Sequence, residues 1–90
     1  MILATARVDD FDRFVETYST RGSAKREQHG SKGSIVFRDP DESDRVWVIF
    51  DWDAAGWQSF TADPDVPAIF QAAGIKGRPE ILAPVARFDA

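Results

Sequence analysis

Hydrophobic and polar positions change period several times along this chain. Residues 1–8 run through Ile2, Leu3 and Ala4 before meeting Arg7, and predict a strand. Asp9 and Asp10 then offer N-cap oxygens, and Phe11, Phe14, Val15 and Tyr18 follow at i, i+3, i+4 and i+7, the spacing of one helical face. The helix is predicted from about residue 10 to 20, with a second piece reaching 28 after an interruption at Gly22 and Ser23. His29-Gly30 reads as its end, with Gly30 free to take the left-handed C′ conformation. Residues 33–38 and 45–52 predict two strands joined by the polar loop Asp39 to Asp44. Asp53 is placed to cap a helix that starts at Ala54 and carries Trp57 and Phe60. Asp63-Pro64-Asp65 ends that helix and starts another, with Pro67 in its first turn and Ile69, Phe70 and Ala73 on its apolar side. Gly74 and Gly77 end it, and residues 80–88 are expected to form the last strand, with Pro79 at its start and Pro84 inside it. The order is strand, helix, strand, strand, helix pair, strand.

The strands are apolar on both faces. Val46, Val48, Phe50 and Trp52 share one face of the third strand, and Trp47 and Ile49 lie on the other beside Asp51. Ile35 and Phe37 oppose Val36 in the same way, and Leu82 and Ala86 oppose Ile81 and Val85. A sheet with helices on one side and water on the other alternates apolar with polar residues. Two helical segments cover only one face, so the second requires a cover, for which another copy of the same sheet is the simplest candidate. Pro84 removes a ladder donor, which makes the last strand an edge or a bulged strand.

Length and composition narrow the rest. Ninety residues suit one domain, 1–90, and a domain of that size buries only about 60–65% of the surface of its unfolded chain. The net charge of −4 argues against a nucleic-acid binder, and the groups Lys25-Arg26 and Lys76-Arg78 read as solvated surface. There is no cysteine, which excludes disulfides, thiolate metal sites and cysteine nucleophiles. No apolar run approaches the ~20 residues of a membrane span, and the start of the chain lacks the basic region of a signal peptide. A cytoplasmic protein with no membrane or nucleic-acid partner is expected.

The stretch Val46-Trp47-Val48-Ile49-Phe50-Asp51-Trp52-Asp53 before a helix, then Asp63-Pro64-Asp65, Phe70-Gln71-Ala72-Ala73-Gly74-Ile75 and Pro79-Glu80-Ile81, resembles the dimeric α/β-barrel superfamily. The likeness is to its small single-domain members related to antibiotic-biosynthesis monooxygenases and polyketide cyclases. It implies an α+β, ferredoxin-like βαββαβ monomer with a four-stranded antiparallel sheet, whose open face meets its twin to close a barrel. The superfamily includes cofactor-free quinone-forming monooxygenases, haem-degrading enzymes, cyclases, stress-responsive dimers and members without known activity, so the fold leaves function open. Trp52 aligns with the tryptophan that the monooxygenase and haem-degrading branches carry just before their second helix. The haem-degrading branch also uses an asparagine on the first strand and a histidine on the second helix. This chain has no asparagine, and its region 54–73 has no histidine, which argues against that branch and leaves the usual monooxygenase site incomplete. Cyclase members use a His and a Tyr facing the pocket, and His29 and Tyr18 are the only ones here.

Each candidate residue has two readings. His29 is either a general base on an acidic C–H or phenol, or a helix-end residue suited to the macrodipole. Tyr18 either orients a substrate carbonyl or belongs to the core with its hydroxyl at the rim. Trp52, Trp57 and Phe14 either line a flat apolar pocket or simply pack. Asp39, Asp41, Glu42 and Asp44 lack the glycine and distal Glu of a calcium loop and read as a solvated hairpin. From a single histidine no Ser/His/Asp set is proposed, and no metal or other cofactor is expected. The expected function is a homodimer that binds a small aromatic or polyketide-like molecule, as a cofactor-independent monooxygenase or cyclase with His29 and Tyr18 catalytic. The alternative is a non-catalytic ligand-binding or stress-related homodimer.

Overall fold

In the computed structural model, which describes residues 1–90, four antiparallel strands form one sheet in the order β2-β3-β1-β4, with all the helices on one face. The elements are β1 (Ile2–Val8), α1 (Phe11–Thr17), a π-helical turn (Tyr18–Gly22), α2 (Ser23–Gln28), β2 (Ser34–Arg38), β3 (Arg45–Phe50), α3 (Ala54–Ala62), α4 (Val66–Ala72) and β4 (Ile75–Leu82). This is the ferredoxin-like α+β arrangement.

Local chemistry explains most boundaries. Asp10 accepts a hydrogen bond from the Arg13 N–H at the start of α1, and Asp53 accepts one from the Gly56 N–H at the start of α3. Gly30 takes φ 85° after α2, as expected of a C′ glycine. The β2–β3 loop is held by Asp39, whose carboxylate accepts from the backbone N–H groups of Asp41 and Glu42 and from the Trp47 indole N–H at 2.8 Å. Arg7 reaches the same loop and pairs with Glu42 and Asp44, and Arg45 pairs with Glu42, so two of the four carboxylates of the acidic cluster are matched by cations from the strands.

Three expected boundaries differ. Gly22 does not interrupt the first helix, because the chain passes through the π turn and continues directly into α2. Strand β3 ends at Phe50, which leaves Trp52 beyond it in the turn before α3. Strand β4 begins at Ile75 and stops at Leu82, rather than covering 80–88, and Pro84 lies outside it. Gly77, at φ 70°, sits in β4 where its register with β1 shifts between Thr5 and Arg7. The glycine and Pro79, which read as breakers, form an irregularity within the strand. The last strand is an edge, as expected, and it carries its irregularity at this stretch rather than at Pro84.

Alternation assigns the faces. Toward the helices point Val36, Val48, Ala4 and Ile81, in register across all four strands, joined by Val46, Phe50 and Ile2. On the opposite face Ile35, Ile49, Leu3 and Leu82 form a second apolar row, also in register, beside Phe37 and Trp47. Ile35, Phe37 and Leu82 are 58%, 47% and 61% exposed, so this face is uncovered in the single chain. No helix is long and apolar enough to cross a membrane.

Gly74 ends α4 at φ 74°, and its carbonyl accepts the Asp9 N–H at 3.0 Å, which ties the end of α4 to the start of α1. A Cβ there would run into the Asp9 carboxylate. Gly74→Ala is therefore expected to cost about 1–3 kcal/mol. Gly30→Ala, at a positive φ but with nothing within 4 Å of the added carbon, should cost less. Urea unfolding should show the Gly74→Ala midpoint falling further than that of Gly30→Ala, with both slopes unchanged. Equal midpoints would mean that the contact with Asp9 relaxes freely.

Candidate functional site

The centre of the helix-facing sheet surface is occupied by small side chains. Ala4 and Ala6 of β1 lie there, flanked by Val46 and Val48 of β3. Larger groups reach over them from the helices: Phe14 and Tyr18 from the first, Trp57 and Phe60 from α3, Ile69 and Phe70 from α4. Between the two layers remains an apolar cavity of about 60 Å³. That is well below the ~150 Å³ of a cavity able to take up benzene. The cavity continues at both ends. At Trp57, Phe70 and Pro79 it meets a groove beside β4, and at Tyr18 and Arg26 it meets a second groove, lined by Ser19, Ser23, Ser31, Lys32 and Ser34.

Tyr18 and Arg26 are the only titratable side chains in the cavity lining. The Tyr18 hydroxyl is 2.6 Å from Ser34 Oγ, and its ring packs on Phe14 with centroids 5.3 Å apart. Burial pushes the phenol above its ordinary pKa, with the Ser34 hydrogen bond and the Arg26 charge opposing, so Tyr18 stays protonated at neutral pH. The Arg26 guanidinium lies over the Tyr18 ring, 3.5 Å from its centroid, and Nη2 donates to the Tyr18 carbonyl at 2.9 Å. Arg26 is only 8% exposed, and burial lowers its pKa. The reading of Lys25-Arg26 as solvated surface is thus corrected: Arg26 points inward, and Lys25 pairs with Asp63 and Asp65.

A signal for Arg26 exists in the sequence. Phe14, Tyr18, Gly22 and Arg26 recur every four residues. In an α-helix a four-residue step overshoots one turn by about 40°, and such a ladder drifts off its face. The wider π turn at Tyr18–Gly22 takes back part of that rotation and returns Arg26 to the face of Phe14 and Tyr18. Gly22 makes the room, since a Cβ at that position would lie 2.8 Å from Arg26 Nη1.

Of the other candidates, Trp57 and Phe14 line the cavity, whereas Trp52 and His29 do not. Trp52 packs behind the wall, with its ring 5.2 Å from Phe50 and 5.4 Å from Phe60, and its buried Nε1 has no acceptor. It lies one layer away because β3 ends before it and α3 folds over it, with Gly56 close against its ring. His29 stands at the end of α2, edge-on to Phe60, which itself lines the cavity. Its Nδ1 is 2.7 Å from Ser59 Oγ and its Nε2 is 2.9 Å from Asp63 Oδ2. The structure therefore assembles the Ser, His and Asp that the single histidine did not suggest. None of the three lines the cavity or the two grooves that join it. Lys25 Nζ reaches Asp63 at 3.1 Å and Asp65 at 3.0 Å, and the cluster joins the first helix to the α3–α4 turn.

No protein-family model matches the sequence, and no curated protein does either. Solved structures do. SnoaB, a cofactor-independent oxygenase from Streptomyces nogalater, superimposes with a TM-score of 0.72 at 15% identity, over 99% of this chain and 95% of its own. An antibiotic biosynthesis monooxygenase gives 0.64 at 18% identity, over 96% of both chains. An uncharacterized NIPSNAP domain protein from Burkholderia xenovorans gives 0.62 at 19% identity, over 99% of this chain and 97% of its own.

The His29 cluster carries a pH signature. The Asp65 N–H, then His29 and Lys25, hold the Asp63 carboxyl down at about 2. An unfolded Asp titrates near ~3.9, so Asp63 contributes stability that is present above that pH and is lost as pH falls toward the folded value. Asp63→Asn should lower the melting temperature at neutral pH, and the gap to the parent protein should close between about pH 4 and pH 2. A gap that stays constant over that range would show that the carboxylate charge does not hold the cluster. With the helices, sheet order and register all accounted for, the chain has the ferredoxin-like α+β fold of the antibiotic-biosynthesis monooxygenase domain proteins.

Proposed function

We propose that this protein binds a small aromatic or polyketide-like molecule between its helices and sheet and oxygenates it without a cofactor, as a homodimer, with the cytoplasm as its place of action. The observation that carries the reading is the aromatic-walled cavity with the Tyr18 hydroxyl at one end; at about 60 Å³ it takes only part of a ring system, and the rest lies in the grooves that join it. The likeness to a structure described as a cofactor-independent oxygenase supports it at the level of fold. The proposed reaction takes a methylene acidic enough to ionise to solvent and bind as its carbanion: the carbanion reduces dioxygen, the carbon becomes a carbonyl, and the second oxygen atom takes up one proton and the remaining C–H hydrogen and leaves as water. The protein's part is to exclude water, hold the ring system flat and offer the Tyr18 hydroxyl to a substrate oxygen.

A second reading, a homodimer that binds a small apolar ligand without turning it over, draws on one further observation. No carboxylate or imidazole lines the cavity, and His29 is engaged by Ser59 and Asp63 outside it. An oxygen electrode separates the two readings. With an anthrone as substrate, one dioxygen should be consumed per molecule oxidised, Tyr18→Phe should lower kcat by about 10-fold or more, and His29→Ala should leave kcat unchanged while lowering the melting temperature. No uptake above the spontaneous rate would leave the binding-only reading.

The homodimer rests on the row Ile35, Ile49, Leu3 and Leu82 with Phe37 and Trp47, uncovered in a chain too small to waste apolar area. Light scattering at micromolar concentration should give about 20 kDa, twice the 10.0 kDa of the chain. Ile49→Asp, which buries an unpaired charge at the centre of that face, should dissociate or unfold the protein. A well-folded monomer of the unaltered chain would overturn the pairing.

A further inference from the structure

Arg26 is a buried cation without a counter-ion. None of the ion pairs in the structure includes it. A guanidinium carries five N–H donors, and here only the bond from Nη2 to the Tyr18 carbonyl is made within the protein. One face is covered by the Tyr18 ring, and the edge remains open to the cavity and the adjoining groove. A largely buried charge with no counter-ion, its free N–H groups facing only the groove, is costly unless something pairs with it. The surroundings favour an anion. Lys32 lines the same groove and forms no ion pair, and the hydroxyls of Tyr18 and Ser34 meet at its mouth. Glu27 is the only carboxylate lining it, and it too forms no ion pair. With Arg26 and Lys32 against Glu27 the groove is net positive, in a chain with net charge −4.

We infer that Arg26, with the Tyr18 and Ser34 hydroxyls beside it, is the recognition site for the carboxylate of the ligand whose apolar body enters the cavity. The guanidinium edge matches a carboxylate in planar, two-point fashion. Stacking on Tyr18 fixes its orientation before the ligand arrives, and the missing side chain at Gly22 leaves the room that the guanidinium itself occupies. The cavity is smaller than a ring needs, so the ring of such an acid spans the cavity and the serine-lined groove, which join at Tyr18 and Arg26. The inference takes the location of the ligand from the proposed function but not its oxygenation.

Benzoate and benzamide, which share shape and differ in charge, test it by NMR titration of the whole chain. Benzoate should bind the unaltered protein at least 10-fold more tightly than benzamide and shift the Arg26 Nε–H resonance, which benzamide should leave in place. Arg26→Met, which keeps the apolar stem, should bind the two equally. No preference in the unaltered protein, a preference retained in Arg26→Met, or shifts confined to Lys32 and other exposed sites would overturn the inference. The two measurements on the unaltered protein decide the matter even if Arg26→Met does not fold. Binding is read without turnover, so a failure of anthrone oxidation leaves this result standing, and oxidation without benzoate preference would refute the carboxylate site alone.

Discussion

Small side chains on the central strand set the spacing of everything above them. Ala4 and Ala6 lie where a larger residue would fill the layer, and their neighbours Val46 and Val48 rise little higher. The rings above that floor pack on one another, Trp57 on Phe60 and Phe14 on Tyr18 within their own helices and Phe60 on Phe70 between α3 and α4, and a gap remains beneath them. Interiors are normally packed to the density of organic crystals, and a void lined by apolar atoms forfeits dispersion contacts on every wall. The gap is therefore a cost built into the fold. The same spacing admits Arg26, whose side chain needs the volume left by Gly22 and the ring face of Tyr18.

Much of this architecture is legible in the chain because it is written in local chemistry. Asp53 before Ala54, Gly30 after the first helical region, and the polar loop from Asp39 to Asp44 each act on their own few residues, and each lands where its chemistry puts it. The apolar double face of β3 is equally local, since alternation along six residues needs no knowledge of partners. What failed was decided across the sheet. Gly77 and Pro79 are breakers by propensity, yet β1 offers a ladder long enough to hold Ile75 to Leu82 with one irregularity, and tertiary pairing overrides propensity.

The site was less legible for a related reason. Tyr18, Phe14 and Trp57 follow from the apolar faces of their helices, and all three reach the cavity. Trp52 shares a parity with Val48 and Phe50, but parity stops counting where the strand stops, and the turn carries the indole behind the wall. His29 drew attention as the one imidazole, and only the fold brings Ser59 and Asp63 to it from 30 and 34 residues away. Arg26 was masked by its own charge: a basic pair on a helix reads as surface, and the four-residue ladder from Phe14 places it inward only once the π turn that holds the ladder on one face is known.

The irregularity in β4 has a consequence for how the molecule behaves in a crowded solution. An open sheet ends in a row of unsatisfied backbone groups, a template onto which further strands can add without limit. At the β4 edge Gly77 breaks the spacing of that row, and Pro79 contributes no N–H. A strand arriving from another molecule finds no continuous ladder there, so endless lateral growth along that edge is discouraged. Whatever covers the apolar face, this margin of the sheet is shaped to keep assemblies finite and so guards against fibres.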